Sequence, residues 1–210
     1  MLIKQTTAYK NITISGLPGA GSSTLLTMLK GALPDWQAFS GGEFMRLYAT
    51  EQGLFDGNNN TLHHSSMVYG DDFDKKVDFG MREKLETQEK WILEAWLSGF
   101  MAQGVQGVLK VLLVCSDEAV RIDRIVNRDG VTVATAKKHI HGRSQENLAK
   151  WSRLYAPQWQ AWVVEAGKVT KSDPIDFWRP DLYDVVIDTY STNKEQTLKK
   201  ALDALKKETP

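Results

Sequence analysis

Residues 14–26 read ISGLPGAGSSTLL, and the identity of the fold turns on them. Gly16 and Gly21 match the two glycines of the pattern G-x-x-x-x-G-K-[ST], and Ser23 matches its final hydroxyl. Ser22 stands where that pattern has lysine. Upstream, NITIS (11–15) is short, β-branched and followed by glycine, which predicts a buried strand. Downstream, STLLTMLKGAL (23–33) carries its apolar residues at helical spacing. Strand, glycine loop, helix is the context in which such a loop cradles phosphate. The alternative is a glycine-rich turn that binds nothing.

Most of the loop's binding does not need the lysine. Glycines let backbone N–H groups approach phosphate oxygens, and the following helix adds its own unsatisfied N–H groups and its dipole. The lysine adds a point charge on the outer phosphates. Ser22 offers only a neutral hydrogen bond, so the missing charge has to come from elsewhere. Ser23 holds the position whose hydroxyl ligates Mg²⁺, and Thr24 is placed to reach an α-phosphate.

Outward from this stretch, strands and helices alternate. WQAFS (36–40) reads as a second strand and GEFMRLYATEQ (42–52) as a helix ended by Gly53. Residues 56–78 are polar and read as an irregular loop, followed by a helix over about 79–90 and the strand-like WILEAWL (91–97). LKVLLVCS (109–116) is the clearest core strand, and DEAVRIDRIVNRD (117–129) an amphipathic helix capped by Ser116 or Asp117. A charged helical stretch over about 132–155 is interrupted at Pro157; YDVVIDT (183–189) is a last strand and 193–207 a last helix. The expected fold is α/β, a parallel sheet flanked by helices, in a single domain.

Composition excludes several classes. The chain has 210 residues, 42% of them apolar, enough for a core and too many for a disordered chain. A net charge of zero argues against a non-specific nucleic-acid binder. The lone Cys115 allows no internal disulfide and reads as a buried thiol. No apolar run is long enough to span a membrane, and the first residues do not read as a signal peptide, so the cytoplasm is the expected location. Asp71, Asp72, Asp74, Asp78, His63 and His64 lack the spacing of an EF-hand or zinc site and are expected on a solvated loop.

The stretch ITISGLPGAGSST…FSGGEFMRLYATEQGL, from Ile12 onward, resembles the cytidylate kinases of the archaeal type. That branch often replaces the loop lysine with threonine. Ser40, Gly41, Gly42, Glu43, Phe44, Met45 and Arg46 resemble its "saGeiFR" element, whose arginine binds the acceptor's phosphate. VCSDEAVRIDRIVNRDG (114–130) resembles the segment leading into the family's lid, with arginines at 121, 124 and 128. Arg143, Ser144, Glu146, Lys150 and Trp151 resemble its lid helix, and Tyr155 and YDVVIDT its ending. The resemblance covers about 11–156 and 183–207 and implies an ATP-dependent phosphoryl transfer to CMP or dCMP. It implies an acceptor-binding region over about 40–90, a lid over about 128–155, and an inserted segment, 157–182, that the family lacks.

Roles follow from the resemblance and from phosphoryl-transfer chemistry, which rests on positioning and charge stabilisation by planar guanidinium groups. Gly16, Gly19, Ala20, Gly21, Ser22, Ser23 and Thr24 are expected to hold ATP, with Ser23 on Mg²⁺. Arg124 is expected to bind the nucleotide, although one of Arg121 and Arg124 could instead pack by the adenine or form an ion pair with Asp117, Glu118 or Asp123. Arg128, Arg143 and Ser22 are the expected transfer-assisting groups, and Ser40, Gly41, Arg46, Asp78 and Trp96 the acceptor-binding ones. One substitution breaks the pattern: EAWLSG (94–99) stands where the family has EGRLAG, so Trp96 replaces an acceptor-binding arginine. An indole can stack on a base but cannot hold a phosphate, which leaves open a kinase for another small acceptor, or a nucleotide-binding protein without transfer. Trp159, Trp162 and Trp178 in the inserted segment read either as local packing or as a contact surface for another subunit.

Overall fold

Five apolar runs pair into one parallel sheet: β1 (Asn11–Gly16), β2 (Gln37–Ser40), β3 (Trp91–Glu94), β4 (Val108–Val114) and β5 (Val185–Asp188). Their order is β2-β3-β1-β4-β5. The computed structural model describes residues 9–51, 53 and 69–207. β1 lies between two neighbours and is buried at every position, which is why its residues are short and β-branched. After β3 the chain crosses β1 to build β4 on its other side. Such a reversal opens a crevice at the carboxyl ends of the central strands, where ligands of open α/β sheets bind.

Helices cover both faces. Leu25 and Leu29 of α1 (Ser22–Ala32) and Ala201 of α8 (Lys194–Leu205) pack with Ile12, Val111 and Leu113. On the other face, Leu112 meets Phe100 of α4 (Ser98–Met101) and Trp151, Leu154 and Tyr155 around the end of α6 (Val133–Leu154). The alternation of Val111, Leu112 and Leu113 between faces is the period of a strand covered on both sides. Helix ends carry the expected chemistry. Asp117 caps α5 (Glu118–Asp129) by accepting from the Val120 N–H at 2.9 Å, and Gly130 ends it at φ 64°. Asn193 and Gln196 form a capping box on α8.

One reading needs correction. The stretch predicted as a loop to residue 78 is helical from Asp71, within α3 (Asp71–Thr87). Asp71, Asp72 and Asp74 lie in its first turn, where they complement the helix dipole. The earlier part of that stretch, with His63 and His64, lies outside the described residues. In the inserted segment, the local packing considered from sequence is what the fold shows. After α2 (Gly41–Glu51), α3 and the rest of the frame, the segment adds α7 (Ala156–Trp159), a π-helical turn (Gln160–Val164) and a 3₁₀ turn (Pro180–Leu182) to the core. Trp159, Val163, Phe177 and Leu182 are buried in one cluster with Phe100 and Tyr155. The Arg82 guanidinium lies 4.0 Å from the centre of the Trp162 ring and donates to the Met101 and Gln103 carbonyls at 2.8 and 2.9 Å. Packing within the chain therefore uses these tryptophans.

The seam between α4 and the inserted segment is tight at Gly99. A β-carbon there would overlap the Tyr183 ring, whose Cζ lies 3.0 Å away. Tyr183 cannot swing aside, because it is buried and its hydroxyl donates to the Phe177 carbonyl at 2.8 Å. Gly99→Ala is expected to cost about 1–3 kcal/mol, a fall in Tm of roughly 5–10 °C by calorimetry. An unchanged Tm would contradict this packing.

Candidate active site

The carboxyl ends of β1, β2 and β3 open into a cleft of about 860 Å³. The glycine loop forms one wall. Gly19 and Gly21 sit at φ 81° and 95°, conformations that side chains rarely adopt, so these two positions require glycine. A β-carbon on Gly19 would also meet the Arg121 carbonyl oxygen at 2.9 Å. α1 begins directly at the loop, and Gly21 offers its first turn no side-chain cap. Its N–H groups therefore face the cleft as an anion site. Ser22, Ser23 and Thr24 line it, with Ser23 and Thr24 exposed. Ala20 does not: it is buried beneath the loop, and its N–H donates to the Leu17 carbonyl at 3.0 Å.

Ser22 shows what became of the lysine position. Its hydroxyl donates to Glu94 Oε1 at 2.6 Å, and the Ser40 hydroxyl donates to Glu94 Oε2 at 2.7 Å. Glu94 ends β3, and the parallel register sets it beside Ile14 of β1 and Ser40 of β2. Its carboxylate is buried, with no ion-pair partner among the described residues. It joins the phosphate-facing loop to Ser40 and Gly41 at the start of α2, both of which line the cleft. Sequence reasoning left Glu94 off the list of functional residues. The available signal was an acidic residue closing a buried strand next to the loop.

The cations come from the helices. Arg46 of α2, Arg124 and Arg128 of α5 and Arg143 of α6 all line the cleft; among the described residues Lys194 is the one lysine that does. Arg124 braces the loop, donating to the Gly19 carbonyl at 3.0 Å and to the Thr189 hydroxyl and carbonyl at 2.8 Å. Arg121 donates to the Pro18 carbonyl at 3.2 Å. Neither forms the ion pairs with Asp117, Glu118 or Asp123 considered from sequence; both dock α5 onto the loop. Arg128 grips its neighbour Asp129 through two hydrogen bonds, at 2.8 and 3.1 Å, and is half exposed.

Arg143 is held differently. Its guanidinium carbon lies 5.5 Å from the centre of the Trp96 ring, and its Nε is buried without a hydrogen-bond partner. Burial lowers its pKa to about 10, with Arg128 and Arg46 adding to the drop and Asp129 and Tyr69 opposing it. It remains charged at neutral pH, in surroundings that a bound anion would relieve. Lys150 is engaged elsewhere: it forms an ion pair with buried Asp74 at 2.8 Å and donates to the Tyr69 carbonyl at 2.8 Å. This places the last turns of α6 in the core. Only its first part stands outside, where Ala136 and Ile140 pack on Ile122 and Ile125 of α5.

Asp78 faces the cleft from α3 and accepts a hydrogen bond from the Tyr155 hydroxyl at 2.5 Å. Removal from water pushes its pKa up to about 7; the Tyr155 hydroxyl and Lys150 oppose the rise and Asp74 adds to it. A carboxyl whose pKa is raised by folding holds its proton more firmly in the native state. Its stabilising contribution is complete below the unfolded pKa of about 3.9 and is lost as pH rises through the folded value. Asp78→Asn is expected to flatten the stability profile between about pH 4 and 7 and to gain on the order of 2 kcal/mol over wild type at pH 8. Urea unfolding across that range checks this, and an unchanged slope would contradict it.

The chain is 31% identical over 207 residues to the cytidylate kinase of Methanopyrus kandleri, covering 92% of this chain and 93% of that protein. The chain belongs to the cytidylate kinase family. A second member, from Methanosarcina mazei, is 29% identical over 198 residues, covering 92% of this chain and 97% of its own. No family model matches. Among solved structures, an uncharacterised protein from Eubacterium ventriosum matches with a TM-score of 0.59 at 13% identity, covering 93% of this chain and 98% of its own. A gluconokinase from Sinorhizobium meliloti matches with a TM-score of 0.52 at 14% identity, covering 93% of this chain and 91% of its own. These two share the fold. As a cytidylate kinase-like protein, this chain is a phosphotransferase of the P-loop kinase fold that uses a nucleotide. Among the described residues, no helix is long and apolar enough to cross a membrane.

Proposed function

We propose that this protein transfers the γ-phosphoryl group of ATP to CMP or dCMP, giving ADP and the diphosphate. The observation that carries this reading is the convergence of the glycine loop with Arg46, Arg128 and Arg143, from three different helices, on one cleft. ATP would lie along the loop, its phosphates on the N–H groups around Gly19, Gly21 and Ser22. The Ser23 hydroxyl, an exposed hard oxygen donor at the first turn of α1, suits Mg²⁺, which neutralises phosphate charge when bound. Arg46 would hold the acceptor's phosphate, and Asp78 would accept a hydrogen bond from its base or sugar. The acceptor hydroxyl equivalent is the phosphate oxygen that attacks; the new P–O bond forms as the bond to ADP breaks. Charge that spreads over the moving group would be met by Arg128 and Arg143 in place of the absent lysine. The segment from Arg128 to about residue 146, which packs on Ile122 and Ile125 of α5 through Ala136 and Ile140, would close over both substrates and exclude water.

ADP release with MgATP and a panel of CMP, dCMP, UMP, AMP and GMP tests this reading. Turnover that requires CMP or dCMP supports it. Trp96 favours a second reading, a kinase of the same fold for another small acceptor, because the subsite lacks the arginine that the family places there. That kinase would bind MgATP and ignore the whole panel.

A further inference from the structure

Arg143 has an unusual partner for a buried guanidinium. No carboxylate among the described residues forms an ion pair with it, its Nε finds no acceptor, and its guanidinium lies over the indole of Trp96. A guanidinium within about 6 Å of an indole centre is attracted to the ring's negative face, and the attraction grows as water is excluded. The indole is itself fixed. Trp151 meets it edge-on at 5.6 Å and Trp178 at 6.1 Å between ring centres. The Trp178 Nε1–H donates to the Trp96 carbonyl at 2.9 Å, which ties the inserted segment to the strand end behind Glu94. Trp178 and Trp151 also touch each other, at 6.3 Å. Three indoles thus form a bracket, and Arg143 rests on Trp96, which lines the cleft together with Trp151.

We propose that Trp96 is a positioning residue for Arg143, and that the inserted segment serves to brace it through Trp178. A carboxylate in this place would hold the arginine more firmly but would neutralise the charge that the moving phosphoryl group needs. An aromatic face fixes the guanidinium and leaves its N–H groups for the anion. This inference rests on the kinase reading for its effect on turnover, but the contact itself does not.

The test is a double-mutant cycle with Trp96→Leu, Trp96→Phe, Arg143→Ala and the Trp96→Leu/Arg143→Ala pair, after melting curves show each variant folded. Trp96→Leu is expected to lower kcat about thirtyfold, with KM for ATP little changed, and Trp96→Phe to stay within a few-fold of wild type. In the Arg143→Ala background, Trp96→Leu should add almost nothing. Losses that multiply independently, or full activity in Trp96→Leu, would overturn the inference. A second readout is the NMR resonance of the Arg143 Nε–H, which the indole should displace by its ring current. It should move toward the free-arginine position in Trp96→Leu and hold near its wild-type position in Trp96→Phe. Absence of turnover in the wild type with every monophosphate counts against the kinase reading alone, and the resonance then decides: no movement in Trp96→Leu overturns the positioning role, and movement upholds it. If Trp96→Leu fails to fold, Trp178→Phe takes its place, with the same resonance expected to shift and its constancy overturning the brace.

Discussion

Arg143→Ala is expected to lower acceptor-dependent turnover about a thousandfold while leaving the affinity for MgATP within a few-fold of wild type. The expectation follows from its setting. Arg143 is buried with an unpartnered Nε, beside two other arginines that repel it. In the resting protein this arrangement is unfavourable, so removing the side chain should not destabilise the fold and could raise Tm slightly. The charge becomes favourable when negative charge develops in the cleft, which is when it assists transfer. Steady-state kinetics together with calorimetric ATP binding separates the two effects. A rise in KM with kcat unchanged would assign Arg143 to ground-state binding and contradict its role in transfer.

Glu94→Gln is the second large effect, expected to reduce kcat about a hundredfold. The Glu94 carboxylate accepts one hydroxyl hydrogen bond from Ser22 after the glycine loop and one from Ser40 just before α2, at 2.6 and 2.7 Å. It fixes the distance between the two halves of the cleft, and misplacing reacting groups by about 1 Å is enough for a loss of that size. Because the charge is buried without a cation, the isosteric amide should leave stability equal or improved. Activity lost with Tm kept is therefore the signature of a functional carboxylate. Activity kept within a few-fold would reduce Glu94 to a packing role.

The order of elements was legible in the sequence because the local signals are strong. The β-branched run at 11–15, the glycines at 16, 19 and 21, and the Asp117 cap each act through the backbone within a few residues. The same signals misled at Asp71, Asp72 and Asp74, where acidic residues that open a helix resemble a polar loop. The phosphate-facing half of the site was legible for the same reason, since one continuous segment builds it. Ala20 was assigned to it by adjacency, whereas the turn itself directs Ala20 into the core. What could not be read was anything set by strand register or by distant packing. Glu94 meets Ser40 because β2 and β3 pair in that register, and Trp178 meets Trp96 from 82 residues away in the chain. The family resemblance made Arg124 a nucleotide ligand and its spacing made it an ion-pair candidate; in the fold it holds the Gly19 carbonyl.

The most direct test of the account is transfer of the labelled γ-phosphate of ATP, in the presence of Mg²⁺, to CMP and dCMP, with the labelled diphosphate separated and counted. The account predicts label in CDP or dCDP, abolished in Arg143→Ala. Protein that binds MgATP but leaves both acceptors unlabelled would contradict it.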